Sequence, residues 1–97
     1  DMGALPTFYP GYQSVTDTAC KDKFENAWGC NLSDTPGIPL TKVFDAINQG
    51  RVKAMYIIGE NPVLSDPDAR YVEGALRSLD FLVVQDIFLT ETARLSH

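Results

Sequence analysis

Polar side chains follow two apolar segments of the chain, VKAMYII and FLVV, and their types suit a nucleotide. Glycine lets a phosphate approach the backbone closely. The carboxylates of Glu60 and Asp86 repel phosphate but can accept hydrogen bonds from sugar hydroxyls or purine N–H groups. The candidate cofactor-binding residues share a position at or soon after the end of an apolar segment: Gly59, Glu60, Asn61, Ser65, Gln85 and Asp86.

A second interpretation of the same residues stays open, because loops between strands and helices often carry Gly, Asn, Ser and Asp simply to turn and to cap. The glycine-rich fingerprints of dinucleotide-binding folds and of P-loops do not occur in the sequence. We predict no catalytic residue, since the one histidine, His97, is terminal. We predict no metal ligand either, because structural zinc needs four Cys or His ligands. Cys20 and Cys30 could pair, but buried or half-buried free thiols are the favoured interpretation.

The elements that would position these residues form a βαβ unit. VKAMYII and FLVV are typical of strands that are covered on both faces of a parallel sheet. Between them, Asp66 as N-cap and Pro67 at the first helical position predict the start of a helix with an apolar stripe from Ala69 to Leu79. The crossover should be right-handed. Both polar strand ends then lie side by side, where open α/β sheets bind ligands.

The first half of the chain predicts a loop and two helices. Frequent Pro and Gly in residues 1–15 indicate an ordered loop, whose aromatic side chains could stack on a ligand but more often pack against protein. A first helix is expected over residues 17–28, with Thr16 or Asp17 as N-cap and Gly29 at its end, and a second from Leu40 to Gly50. The aromatic residues of the loop are Phe8, Tyr9 and Tyr12.

We therefore expect an α/β fold, a Rossmann-like βαβ unit with parallel strands, within one partial domain over residues 1–97. Residues 1–50 would form the loop and two helices, and residues 51–97 the nucleotide-holding unit. Two parallel strands cannot form a whole sheet, so the sequence indicates an internal fragment of a larger domain.

Composition and charge exclude several classes of protein. Hydrophobic residues make up 44% of the 97 and charged residues 22%, which is typical of a folded domain. The net charge of −5 argues against a nucleic-acid partner, since such surfaces need clustered Lys and Arg. The sequence contains no apolar run of the roughly 20 residues that a membrane span needs, and its beginning does not resemble a signal peptide. We expect a cytoplasmic protein without direct membrane insertion.

Four segments together resemble the molybdopterin oxidoreductase family, and within it the catalytic (alpha) subunits of molybdenum- or tungsten-dependent formate dehydrogenases. They are DMGALPTFYPGYQSVTD, KFENAWG, MYIIGENPVLSDPD and FLVVQDIFLTETA. The resemblance covers nearly the whole chain. Each piece alone is a weak signal, whereas GENP, SDPD and VVQDIFLTETA in combination are quite specific.

The resemblance implies a molybdopterin guanine dinucleotide cofactor carrying molybdenum or tungsten. The six candidate residues match those that hold its guanosine and phosphate portion, with Asp86 accepting from the guanine edge. The parent enzyme would oxidise formate to carbon dioxide and pass two electrons to an iron–sulfur chain. Its implied partners are the remainder of the catalytic subunit and iron–sulfur electron-transfer subunits.

The family's iron–sulfur cysteines, its metal-ligating cysteine or selenocysteine and its substrate-channel arginine have no counterpart in this sequence. The segment alone is therefore expected to be catalytically inert. Two alternatives remain: another family member, such as a nitrate reductase or the large iron–sulfur subunit of respiratory complex I, or a non-catalytic interaction domain whose acidic surface docks an electron-transfer partner.

Overall fold

The structure, a computed structural model, describes residues 5–97, and the chain divides into two compact units between Pro39 and Leu40. The first unit begins with a hairpin of two short antiparallel strands, β1 (Phe8–Tyr9) and β2 (Gln13–Ser14). The prediction of an ordered loop without a regular element is therefore wrong for these four strand residues, while residues 1–4 lie outside the described part. Gly11 sits in the turn with a φ of 78°, so the glycine that indicated a break is what closes the hairpin.

Helix α1 (Thr18–Trp28) follows and confirms the predicted helix. The Asp17 carboxylate accepts from the backbone N–H of Ala19 at 2.9 Å, and Gly29 ends the helix in the left-handed conformation. Tyr9 is buried against Phe24 of this helix, with ring centroids 4.9 Å apart. The aromatic side chain of Tyr9 thus forms part of a small core.

The cysteines are both free, as expected, but their exposure differs. Cys20 is half-buried on α1, whereas Cys30 is exposed. The expectation of a buried or half-buried thiol is wrong for Cys30, because this residue follows the end of the helix at Gly29 and does not pack against the small core.

The second unit contains the βαβ arrangement. Its elements are α2 (Leu40–Asn48), β3 (Ala54–Ile58), α3 (Pro62–Ser65), α4 (Ala69–Arg77), β4 (Phe81–Gln85) and a 3₁₀ turn (Ala93–Leu95). Strands β3 and β4 pair in parallel, with Met55 opposite Leu82 and Ile57 opposite Val84. The α/β fold class is confirmed. Helix α2 belongs to this unit, whereas the sequence analysis grouped it with the first half.

The core of the second unit joins one face of the sheet to α2 and α4. Its buried members are Phe44, Ile47, Ile57, Val72, Ala75, Leu76, Leu79 and Leu82. The opposite face carries the exposed side chains of Tyr56, Ile58, Phe81 and Val83. Residues 5–97 therefore cover only one face of the sheet, since the strand pattern predicts a need for cover but not its source.

The predicted start of the crossover helix is also corrected. Asp66 ends the short helix α3, where its backbone N–H donates to the carbonyl of Pro62. The N-cap of α4 is Asp68, whose carboxylate accepts from the N–H of Tyr71 at 3.1 Å. In the sequence SDPD both aspartates carry the same capping signal, and the structure uses the second. Within the described residues, no helix is both long and apolar enough to cross a membrane.

Candidate functional site

A groove of about 560 Å³ lies at the carboxyl ends of β3 and β4. Parallel pairing places the two strand ends next to each other, as the sequence predicted. Both the ends of the strands and the loop after β4 contribute to its lining: Ile58, Gly59, Gln85, Asp86, Ile87 and Phe88. The groove therefore combines backbone, one carboxylate, one side-chain amide and apolar side chains.

Gly59 forms the turn by which the chain leaves β3. Its φ is 62°, in the region that L side chains rarely adopt, and its N–H donates to the Gln85 carbonyl at 2.9 Å. Apart from its chain neighbours, no described heavy atom lies within 4 Å of the position that a Cβ would take. The backbone at Gly59 is thus fixed, and a ligand can approach it closely.

On the other strand, Asp86 is half-buried and Gln85 is exposed. Asp86 Oδ1 accepts from the backbone N–H of Phe88 at 3.0 Å, which turns the loop after β4. Gln85 Oε1 accepts a hydrogen bond from the Tyr56 hydroxyl. Because the amide oxygen is engaged, the Gln85 side chain presents its NH₂ group as a donor.

The other three candidate residues do not line this groove. The Ser65 hydroxyl donates to Glu60 Oε1 at 2.9 Å, and both residues border a separate cavity of about 140 Å³ beside α2. Asn61 Nδ2 donates to Glu91 Oε2 at 2.8 Å, and Asn61 Oδ1 accepts from the Thr92 hydroxyl at 2.6 Å. The structure brings together Gly59, Gln85 and Asp86 in one groove and places Glu60, Asn61 and Ser65 beside it.

Sequence reasoning missed the loop that follows Asp86. Ile87 and Phe88 are 89% and 72% exposed, and both line the groove. Thr92, by contrast, is fully buried. The apolar triplet Ile87-Phe88-Leu89 directly follows the polar end of β4. This pattern could have indicated that apolar side chains lie next to the site. The burial of Thr92 depends on partners about 30 residues away, which no local pattern reveals.

Electrostatics at the site depend on carboxylates and their hydrogen bonds. The hydrogen bond from Asn61, with a smaller contribution from Arg94, holds the pKa of Glu91 below its ordinary value of 4.5. Glu91 is therefore ionised near neutral pH and acts only as an acceptor.

Comparison with known proteins assigns the chain to a family. All of residues 1–97 match the family model described as molybdopterin oxidoreductase. The chain belongs to the molybdopterin oxidoreductase family. The resemblance carried by GENP, SDPD and VVQDIFLTETA is confirmed at this level.

The relatives of this molybdopterin oxidoreductase chain include formate dehydrogenases. It is 52% identical over 96 residues to the F420-dependent formate dehydrogenase subunit alpha of Methanocaldococcus jannaschii, a match that covers 99% of this chain and 14% of the relative. It is 48% identical to a putative formate dehydrogenase of Bacillus subtilis, over 97% of this chain and 10% of the relative. A third relative, a subunit of an NADH-quinone oxidoreductase from Rhizobium meliloti, is 38% identical over 99% of this chain and 11% of its own length. The chain thus spans only about a seventh or less of these relatives.

Proposed function

We propose that this chain is part of a formate dehydrogenase catalytic subunit and helps to hold the guanosine and phosphate portion of a molybdopterin guanine dinucleotide. The observation that carries the proposal is the convergence of Gly59, Gln85 and Asp86 on one groove at the ends of two parallel strands. The names of the relatives support the enzyme class, since both relatives with about 50% identity are formate dehydrogenases by name.

The chemistry of the groove fits a guanine nucleotide. A guanine edge presents two neighbouring N–H donors, for which the Asp86 carboxylate is a suitable acceptor. Phosphate oxygens are negatively charged and are repelled by the Asp86 carboxylate. We therefore place them at the Gly59 end of the groove, where a ligand can approach the backbone closely. Ile87 and Phe88 offer apolar surface to the face of a base. The Glu60 carboxylate remains the proposed contact to ribose, and the Ser65 hydroxyl the proposed contact to phosphate.

The cofactor, when bound, supplies two-electron redox chemistry through its molybdenum or tungsten. This chain contributes position: it binds and orients the nucleotide end, and we assign it no catalytic residue and no metal ligand. The parent would oxidise formate to carbon dioxide and pass electrons to iron–sulfur subunits. Those partners, the iron–sulfur clusters and the cytoplasmic location stay predictions.

A second candidate comes from the Rhizobium relative. Its name places it in NADH-quinone oxidoreductase, and 38% identity over nearly all of this chain makes the same segment compatible with such an enzyme. The higher identity to formate dehydrogenases favours the first proposal. The two candidates differ in the substrate of the parent enzyme. If formate reduces the cofactor bound to the parent, the first candidate is supported. If formate does not reduce a bound cofactor, the second is supported.

An NMR titration of the purified chain with GDP, and with ADP for comparison, tests nucleotide binding. We expect amide shifts confined to residues 59–65 and 85–88, larger for GDP than for ADP. Asp86→Ala should abolish the preference, because it removes the acceptor for the guanine edge. Asp80→Ala is the matched control, since Asp80 is an exposed aspartate just before β4, at the opposite end of that strand. Equal shifts with GDP and ADP, or shifts unchanged by Asp86→Ala, contradict the proposed guanosine site.

A further inference from the structure

A partly buried hydrogen-bond network joins the loop after β3 to the loop after β4. Asn61 Oδ1 accepts from both the Thr92 backbone N–H, at 3.2 Å, and the Thr92 hydroxyl, at 2.6 Å. The Thr92 hydroxyl oxygen in turn accepts from the backbone N–H of Val63 at 3.2 Å. The threonine is fully buried, with 0% of its surface exposed. It therefore depends on these partners to satisfy its hydroxyl.

The orientation of the Asn61 amide follows from its neighbours. The Thr92 N–H can only donate, so it requires the amide oxygen, and the ionised Glu91 carboxylate can only accept, so it requires the amide nitrogen. Both ends of the amide are thus engaged within the protein. Only one N–H of Asn61 is left for any other partner.

These contacts fix the loop after β4 at both ends. At the strand ends, the Gly59 N–H donates to the Gln85 carbonyl, and further along the same loop Thr92 is held by Asn61. Between these points, Ile87 and Phe88 extend into solvent beside the groove. No residue from 86 to 91 belongs to the buried apolar cluster of this unit, so the Asn61–Thr92 contact is a side-chain link that joins this loop to the loop after β3 next to the groove.

We propose that Asn61 and Thr92 form a clamp that holds the two loops at the spacing needed for the cofactor's nucleotide end, so that Asn61 is a positioning residue rather than a ligand contact. This inference rests on the proposed function. Glu91 supports the clamp by binding the amide nitrogen of Asn61. Sequence position alone assigned Asn61 to the ligand, and its contacts assign it to the loop–loop junction.

The test uses the full-length subunit that carries this chain, purified with its bound cofactor. Thr92→Val removes the hydroxyl and keeps the shape of the side chain, and Thr92→Ser restores the hydroxyl. Thr90→Val is the matched control, because the Thr90 hydroxyl accepts from the Ala93 N–H in the same loop and takes no part in the clamp. Two readouts are measured: amide hydrogen exchange in residues 59–65, and guanine nucleotide retained per subunit after dialysis.

Thr92→Val should speed exchange in residues 59–65 by about tenfold or more, because it leaves buried polar groups unpaired. It should also cause several-fold faster loss of the guanine nucleotide. Thr92→Ser should restore both values, and Thr90→Val should leave both close to those of the original protein. Rescue by the hydroxyl distinguishes a clamp from general loss of packing.

Three results would overturn the clamp. In the first, Thr92→Val speeds exchange only in its own loop, residues 86–92. In the second, exchange in residues 59–65 rises while nucleotide retention is unchanged. In the third, serine fails to rescue. If the unsubstituted subunit holds no guanine nucleotide, the proposed function is overturned, and so is the role of the clamp in holding the cofactor. The hydrogen-exchange data still show in that case whether the two loops are coupled.

If Thr92→Val does not fold, Glu91→Ala provides the milder variant, because Glu91 is exposed and binds only the amide nitrogen of Asn61. We expect it to speed exchange in residues 59–65 by a smaller factor and in the same direction. Unchanged exchange in Glu91→Ala, together with misfolding of Thr92→Val, would assign Thr92 to the core alone and overturn the clamp.

Discussion

The two faces of the sheet formed by β3 and β4 have similar apolar composition but opposite environments. Leu82 is fully buried against the helices, whereas its neighbour Phe81, on the other face, is 54% exposed. Alternation along a strand puts successive side chains on opposite faces, so the contrast arises within two adjacent residues. We call the face of Ile57 and Leu82 the covered face and the face of Tyr56, Ile58, Phe81 and Val83 the open face.

The difference teaches that hydrophobic pattern and burial are separate pieces of information. Both faces have the apolar side chains that a parallel sheet needs for cover, but residues 5–97 cover only one. A contiguous exposed apolar face marks a surface at which other protein packs. For a chain that matches about a seventh of its M. jannaschii relative, the proposed remainder of the catalytic subunit is the natural source of that cover.

The largest expected effect compares Leu82→Ala with Phe81→Ala. Leu82→Ala should lower the free energy of unfolding by about 2–5 kcal/mol, because it opens a cavity in the core. Phe81→Ala removes a larger side chain but should cost only about 1 kcal/mol or less, since the site is exposed. Urea denaturation of the purified chain, at a concentration low enough to keep it monomeric, measures both. Equal losses would mean that the open face is covered in solution.

Much of the local structure could be predicted from the sequence. The spacing of apolar residues predicted α1, with its cap at Asp17 and its end at Gly29, and the two β-rich runs predicted parallel strands. These features depend on residues close together in the chain. The start of α4 was harder, because Asp66 and Asp68 carry equal capping signals and only the short helix α3 decides between them.

The candidate site was predictable at the level of position but not of contacts. The rule that ligands bind at the carboxyl ends of strands placed Gly59, Gln85 and Asp86 together, and the structure has them in one groove. The partners of Asn61 lie about 30 residues away in the chain, so the sequence could not reveal that its amide is engaged. The same holds for Thr92, whose burial depends on that contact.

A smaller effect concerns association through the open face. We expect the isolated chain to self-associate there, and Val83→Lys should weaken self-association by about tenfold, or 1.4 kcal/mol, because it places a charge in the interface. Sedimentation over a range of concentrations measures this. Leu64→Lys is the matched control, since Leu64 is an exposed leucine on α3 and not on a strand of the sheet. A chain that stays monomeric at all concentrations would contradict self-association.

The smallest expected effect is a pH dependence of stability. It should arise at the carboxyl end of the sheet, where hydrogen bonds join the two loops, and not at the covered face, where apolar side chains pack. Because the Asn61 hydrogen bond lowers the pKa of Glu91 in the folded chain, this carboxylate stabilises the fold at pH values above its ordinary pKa of 4.5. The contribution is lost as the pH falls through the lowered pKa of the folded state. The stability difference between the original chain and Glu91→Gln should therefore shrink as the pH falls from neutral through the lowered pKa of Glu91.

Urea denaturation at each pH measures that difference, with Leu82→Ala as the comparison. Its cost arises from a cavity and involves no titrating group, so it should stay constant over the same pH range. If the Glu91→Gln difference is also constant, the carboxylate contributes nothing through Asn61, and the polar end of the sheet is held by Thr92 alone. If it shrinks as expected, ionisation of one exposed carboxylate affects how firmly the groove's two loops are joined.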